Sequence, residues 1–278
     1  MNIVEIILIA LVLIVVLLMV GLAGFRYRPK IKPPSRQSIG EVPTIITPAD
    51  LPPLLQRSVE ANFGSRLPAS SSLVAWGRGR VVAGKIPILG RLWTSLVWTL
   101  NLSPGQSFIL DTRLSWFGRI FAVGTEELRH GHGKFDLGER VIENANLDLS
   151  ETTLLWIYTT WLSPFSMLVD PHISWQVEGE STIRASLPFA DGAEHSFDLV
   201  VDPQNFRFER LDTTRVTSKE GNSLPFHAVF SQHRSFDNDF IFPAHLYFHW
   251  DTEDAYMHLD LSGIRYNVDL SDLMRAES

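Results

Sequence analysis

An uninterrupted run of uncharged residues near the N-terminus constrains this chain more than any other feature. Residues 6–25 form 20 consecutive positions without a charge, and nearly all are Ile, Leu, Val, Met, Ala or Gly. A helix of that length spans about 30 Å, which matches the hydrocarbon core of a bilayer. The core helix of a soluble domain would show a polar side, and this segment has none. The sequence therefore predicts one N-terminal transmembrane helix, with residues 1–28 as the anchor.

A cleaved signal peptide is the alternative interpretation of the same segment. Gly21 and Ala23 offer small residues at a spacing similar to that of a cleavage site. However, Glu5 precedes the apolar run in place of Lys or Arg, and the run is longer than the roughly 7–15 residues of a typical signal. The chain has no cysteine, which excludes disulfides, thiolate metal ligands and lipoprotein-type acylation.

Basic residues follow the apolar run and predict how the anchor is oriented. Five lie within residues 26–36, namely Arg26, Arg28, Lys30, Lys32 and Arg36. Lys and Arg beside a span favour its cytoplasmic end, so we expect a single-pass protein of the cell membrane with a cytoplasmic globular domain. Basic residues also attract anionic head groups, so residues 3–36 are predicted to contact membrane lipids.

The rest of the chain is acidic, which excludes one class of partner. Beyond residue 36 there are 30 acidic and 19 basic residues, a formal charge of −11. A domain of that charge is repelled by phosphate backbones, so we expect no nucleic-acid partner. No dinucleotide fingerprint, phosphate-binding loop or G-x-S-x-G element is present, so no cofactor is predicted.

The remaining sequence divides into a short linker and one domain. Residues 29–49 contain five prolines and predict an extended tether, whereas residues 50–278 predict a single globular domain. Within it, a short helix is expected over residues 51–63 with Asp50 as its N-cap.

Most of the domain consists of short segments rich in Val, Ile, Phe, Trp and Thr, separated by turns that contain Gly or Pro. This pattern is typical of β-strands. One segment, residues 152–168, is apolar on almost every side and predicts a buried helix, with Asp148 and Glu151 as an acidic capping box and Pro164 at its end. The fold class predicted is mainly β (α+β), a curved antiparallel sheet or half-barrel that encloses this helix.

Several short landmarks occur in a fixed order along the domain. They are Pro104-Gly105, Phe108, Trp116, Gly131-x-Gly133, Trp161, Pro164, Trp175, Phe242-Pro243, Trp250 and Ile264-x-Tyr266-Asn267. In this order the chain resembles a bacterial family of unassigned function with a curved half-barrel like that of the lipoprotein-localisation carriers. The resemblance implies an apolar cavity beneath the sheet for an acyl chain or another hydrophobic ligand. It also favours the side of the membrane opposite to the one that flanking charge predicts.

Two sets of residues are therefore candidate sites. Trp156, Tyr158 and Trp161 of the helix, with Trp116, are the expected walls of a ligand cavity, although core packing explains most aromatics equally well. The alternative is a metal site at His130, His132 and Asp136, because residues two apart on a strand project to one face. That motif lacks a third histidine, so the prediction is a Gly-rich turn that carries two exposed imidazoles and binds no metal.

A third pattern lies near the C-terminus. His245, Tyr247 and His249 alternate with apolar residues, which places the three on one face of a strand, and His258 could lie opposite. A solvated sheet face and a pH-responsive polar patch both fit. The leading interpretation of the whole chain is a membrane-anchored, non-enzymatic module that binds a hydrophobic or lipid-like ligand or a membrane partner. A metal-dependent enzyme using His130 and His132 is the alternative, and a purely structural role is the third.

Overall fold

A computed structural model of the chain describes residues 2–86, 90–188, 194–236, 240–251 and 253–273. Within these residues the longest apolar segment forms α1 (Ile3–Gly24), whose side chains are mostly exposed. The segment Glu5–Gly24 is long and apolar enough to cross a membrane, a test that a signal sequence also passes.

The globular part is one large antiparallel sheet. Its strands, in chain order, are β3 (Leu73–Ile86), β4 (Gly90–Ser103), β5 (Ser107–Trp116), β6 (Arg119–Arg129), β7 (His132–Asp136), β8 (Val141–Ile142), β9 (Ser174–Glu178), β10 (Thr182–Pro188), β11 (Glu194–Val201), β12 (Phe208–Val216), β13 (Ser223–Ser235), β14 (Ile241–Trp250) and β15 (Met257–Tyr266). Among the described residues these give a 13-stranded order of β8-β7-β6-β5-β4-β3-β15-β14-β13-β12-β11-β10-β9. A separate two-stranded sheet pairs β1 (Thr44–Ile45) with β2 (Leu67–Pro68).

Three further helices accompany the sheet: α2 (Pro53–Phe63), α3 (Ala145–Leu162) and α4 (Phe165–Leu168). The helix α3 packs against the inner face of the sheet, where it contacts β6, β7, β12 and β14. Its residues from Thr153 to Leu162 are buried without a break. The predicted fold class, a curved antiparallel sheet around an apolar helix, is confirmed.

The start of α3 differs from the prediction. The helix begins at Ala145, seven residues before the predicted position, and its N-cap is Asn144, whose side chain accepts a hydrogen bond from the Leu147 amide. Asp148 does not cap it, because its carboxylate accepts the Gly133 amide of β7 at 2.6 Å. The predicted break at Pro164 is confirmed: α3 stops at Leu162, and the remainder of the predicted segment forms the separate short helix α4.

The other predicted helix is confirmed with a different cap. The helix α2 spans Pro53–Phe63, its N-cap position is Pro52, and Asp50 lies outside it. Its buried Asn62 joins three elements: the side-chain oxygen accepts the Phe208 amide at 2.8 Å and lies 2.7 Å from His233 Nε2. These contacts of Asn62 hold α2 against the strands β12 and β13.

Candidate functional site

The predicted tether, residues 29–49, is extended but lies against the sheet. We call residues 25–41 the juxtamembrane segment, after the membrane span that the sequence predicts for α1. Arg78 of β3 donates from Nε to the Pro29 carbonyl at 2.9 Å, and Arg265 of β15 donates from Nη1 to the Pro34 carbonyl at 2.8 Å. Arg36 in turn pairs with Asp272 at 2.8 Å. These bonds hold the segment across the outer face of β3 and β15, the face turned away from α3.

The C-terminal end of α1 is bound to the tip of the hairpin formed by β5 and β6. The Trp116 indole donates to the Gly21 carbonyl at 2.8 Å, and the Phe117 amide donates to the Gly24 carbonyl at the same distance. A Cβ on Gly24 would overlap the rings of Trp116 and Phe117, so this close approach requires glycine. Two of the carbonyls that a helix leaves unpaired at its C-terminus are thereby satisfied by the globular domain.

The tip of this hairpin exposes apolar side chains. Five of them are each more than 40% exposed, namely Trp116, Phe117, Ile120, Phe121 and Val123. Phe25 at the end of α1 packs its ring against Trp116 and Phe121, with centroids 6.4 and 6.1 Å away. Contiguous exposed apolar side chains mark contact with a membrane or a partner, and aromatic rings with a polar end are enriched at membrane–water interfaces.

A groove of about 800 Å³ lies between the juxtamembrane segment and the outer face of β4, β5 and β6. Its apolar lining includes Tyr27, Val97, Phe117 and Ile120. Its charged lining is mainly basic, and consists of Lys30, Lys32, Arg36 and Arg113 with the single acid Asp111. The volume falls within the range of roughly 300–1,000 Å³ that small-molecule sites occupy. The groove thus combines basic groups and an apolar wall beside the end of α1.

The residues predicted to line an inner cavity occupy two different places. Tyr158 and Trp161 are fully buried in the core, and Trp156 is 8% exposed. Beside Trp156 there is space of only about 10 Å³, room for one water molecule at most. Trp116 is separate from them, since it is exposed at the end of α1. The inner face of the sheet is filled by α3 in this structure, and the inner ligand cavity stays a prediction.

The alternative metal residues are not brought together. His130 lies in the turn between β6 and β7 with a φ of 53°, and His132, which begins β7, is 86% exposed. Asp136 ends the same strand, about 14 Å away along the chain at roughly 3.4 Å per residue, and its carboxylate accepts a hydrogen bond from the Gly138 amide. A surface pocket includes both histidines and excludes Asp136.

A buried charged cluster, which no local sequence pattern predicts, lies between α3 and the sheet. Arg215 of β12 donates to Ser150 Oγ at 2.8 Å, to Tyr256 Oη at 3.0 Å, and to Glu126 and Glu151, each at 3.3 Å. Burial, reinforced by the charge of Glu126, raises the pKa of Glu151 well above its usual value, although Arg215 opposes this. Burial also raises the pKa of Tyr256 to about 12. Arg215 and Glu151 are buried, whereas Glu126 at the edge of the cluster is partly exposed.

Comparison with known proteins defines the class to which this chain belongs. A family model matches residues 42–259, and the chain therefore belongs to the family of unknown function DUF6544. The predicted relationship to a family of unassigned function is confirmed. A search of curated proteins finds no match.

A solved structure from Vibrio parahaemolyticus, described as a domain of an outer membrane lipoprotein-sorting protein, is similar in fold with a TM-score of 0.45. It shares 9% identity, and the match covers 77% of this chain and 90% of that one.

Proposed function

We propose that this protein is a membrane-anchored, non-enzymatic module that binds an anionic lipid in the groove beneath its juxtamembrane segment. The observation that carries the proposal is the attachment of the α1 terminus to the hairpin that forms one wall of the groove. If α1 spans the bilayer, this attachment holds the groove at the membrane surface. A lipid could then enter it from the bilayer without crossing water.

The chemistry of the groove supports an anionic amphiphile as the ligand. Lys30 and Arg113 are exposed at the groove and can meet a phosphate or carboxylate head group, whereas Phe117 and Ile120 offer contact to an acyl chain. Each basic residue near an anionic membrane surface contributes about 1 kcal/mol of attraction. The acidic remainder of the domain is repelled by the same surface, so this charge distribution also orients the domain.

A lipid-like ligand beneath the sheet is the second candidate, and one observation favours it. The gap beside Trp156 also touches Leu187, Phe197 and Leu211, so a displaced α3 would uncover an apolar surface. That function requires α3 to move, and ligand binding would then be sensitive to Trp156 and insensitive to Arg113.

Native mass spectrometry of the full chain, purified in detergent and mixed with lipid, tests the proposal. We expect one anionic phospholipid to be retained in preference to a zwitterionic one, and Arg113→Gln combined with Lys30→Gln to reduce retention at least tenfold. Arg140→Gln is the matched control, because Arg140 is exposed in the loop after β7 and away from the groove. Equal retention by all variants would contradict the proposal, and sensitivity to Trp156→Ala alone would favour the second candidate.

A further inference from the structure

A second cluster of polar side chains lies on the outer face of the sheet, on strands β14 and β15. In the register of this antiparallel pair, His245 is opposite Asp260 and Tyr247 is opposite His258. Residues two apart on a strand share a face, so His245, His258 and Asp260 project from the same small area. The side chains are about one-fifth to one-quarter exposed.

The ligand-type atoms of these three side chains converge on one another. Asp260 Oδ1 lies 2.8 Å from His245 Nδ1 and 2.7 Å from His258 Nε2, and the two nitrogens are 3.1 Å apart. Around a tetrahedral zinc ion with bonds of about 2.0–2.2 Å, neighbouring ligand atoms are roughly 3.3–3.5 Å apart. To admit such an ion, the two nitrogen–oxygen edges of the triangle would widen by roughly 0.5–0.8 Å and the nitrogen–nitrogen edge by roughly 0.2–0.4 Å, which small side-chain rotations supply.

All three facing atoms can act as acceptors. Asp260 Oδ1 is buried and lies at hydrogen-bond distance from both imidazole nitrogens, so it pairs with them when they carry a proton. A neutral imidazole has a single N–H, and a ring nitrogen without it presents a lone pair to the carboxylate oxygen. A cation bound between the three atoms would satisfy all three lone pairs together.

The surroundings fix the geometry and leave one side open. Tyr247 stacks on His258 with centroids 4.1 Å apart and the ring planes within 10°, which restrains that imidazole. A cavity of about 90 Å³ adjoins His258 and Asp260, and its lining includes Arg28, Arg78 and Arg80. A fourth ligand could bind there, and the arginines favour an anion over a neutral molecule in that position.

We propose that His245, His258 and Asp260 form a site for a divalent transition metal such as zinc, with its fourth position open to the arginine-lined cavity. Two imidazoles and one carboxylate suit zinc and its neighbours in the first row better than magnesium or calcium. Two of the arginines lie on β3 beside β15, so their positive charge lowers the affinity for the bare ion and couples metal binding to an anionic fourth ligand. None of the three metal ligands lines the proposed lipid groove, whose lining shares only Pro29 with the cavity beside the metal site.

The test uses the full chain, purified with a tag that lacks histidine, stripped with chelator and titrated with zinc chloride. We expect one equivalent to bind, a higher melting temperature with zinc, and loss of both effects in His245→Gln and in Asp260→Asn. His249→Gln, on the same strand, and the His130→Gln/His132→Gln pair should behave as the parent does.

Cobalt binding to the parent protein provides a measurement that does not depend on whether the variants fold. Four-coordinate cobalt gives visible absorption bands that added zinc should remove in proportion. The proposal would be overturned if the parent protein gave no such bands or bound no zinc. It would also be overturned if folded His245→Gln protein bound zinc as the parent does. Loss of zinc binding in the His130→Gln/His132→Gln protein would assign the metal to the other pair.

Discussion

Arg215 and Glu151 form an ion pair at the centre of the domain, with the Nη2 and Oε1 atoms 3.3 Å apart and both side chains buried. The pair joins α3 to β12, and Glu126 of β6 shares the same guanidinium. Removing the guanidinium would leave the buried Glu151 without its charged partner, and Glu151 would have to stay unpaired or take up a proton.

Arg215→Met is therefore expected to destabilise the domain by about 3–5 kcal/mol, the usual cost of removing one partner of a buried ion pair. Chemical denaturation measures this directly. Arg210→Met is the matched control on the same strand: Arg210 is half exposed and pairs with Asp212, so its loss should cost less than about 1 kcal/mol. Similar costs for the two variants would show that the buried cluster does not stabilise the core.

Trp161 anchors α3 to the sheet, and we expect Trp161→Ala to cost about 3–5 kcal/mol. Its side chain is fully buried, its indole donates to the Pro243 carbonyl at 2.7 Å, and its ring lies 5.8 Å from that of Trp98. His249→Ala on the outer face should cost less than about 1 kcal/mol. Thermal melts of both proteins decide the matter, and a Trp161→Ala melt within a degree or two of the parent would contradict a central role for α3.

His233 gives the domain a pH dependence in the mildly acidic range. Burial, with a smaller effect of Arg207, lowers the pKa of His233 to about 4. The unfolded chain then binds the proton more tightly than the folded chain, so stability falls as pH drops from about 6.5 toward 4. His233→Gln should weaken this dependence, as measured by melting temperatures at several pH values. If the melting temperatures of both proteins fell equally as the pH is lowered, His233 would not be the source of the pH dependence.

Flanking charge predicts the topology of the anchor, because the five basic residues of the segment 26–36 follow the apolar run. A C-terminal fusion to a reporter that is active only in the cytoplasm should be active. Changing Arg26 and Arg28 to Gln should reduce the fraction of molecules with that orientation. Activity restricted to a reporter that requires export would reverse the assignment.

Local patterns in the sequence predicted the elements that depend on local physics. Alternation of apolar and polar residues identified strands such as β14, because a strand that is buried on one face has apolar residues at every second position. The segment before Leu162 is apolar at almost every position, which identified α3 as a buried helix. The first turns of α3 were missed because Asp148 looks like a cap, whereas tertiary structure uses it to bind Gly133 in β7.

The candidate sites depend on contacts between residues far apart in the chain, which no local pattern encodes. The juxtamembrane segment binds Arg265, more than 220 positions away, and Arg215 meets carboxylates from two other elements. A partial signal existed: Trp116 and Phe117 stand at a turn, where apolar residues are usually excluded. The alternation around His245 was identified, but the register that brings Asp260 to it was not.

We expect the hairpin of β5 and β6 to lie at the membrane surface, and a pair of spin labels tests this placement most directly. The chain has no cysteine, so Ile120→Cys and Val177→Cys each give one labelling site. Both side chains are aliphatic and similarly exposed, at 45% and 41%, but Val177 is on β9 at the opposite edge of the sheet. In full-length protein reconstituted into anionic bilayers, the label at 120 should be more accessible to oxygen than to a water-soluble nickel complex, and the label at 177 the reverse. Equal accessibility of both labels to the nickel complex would contradict the account.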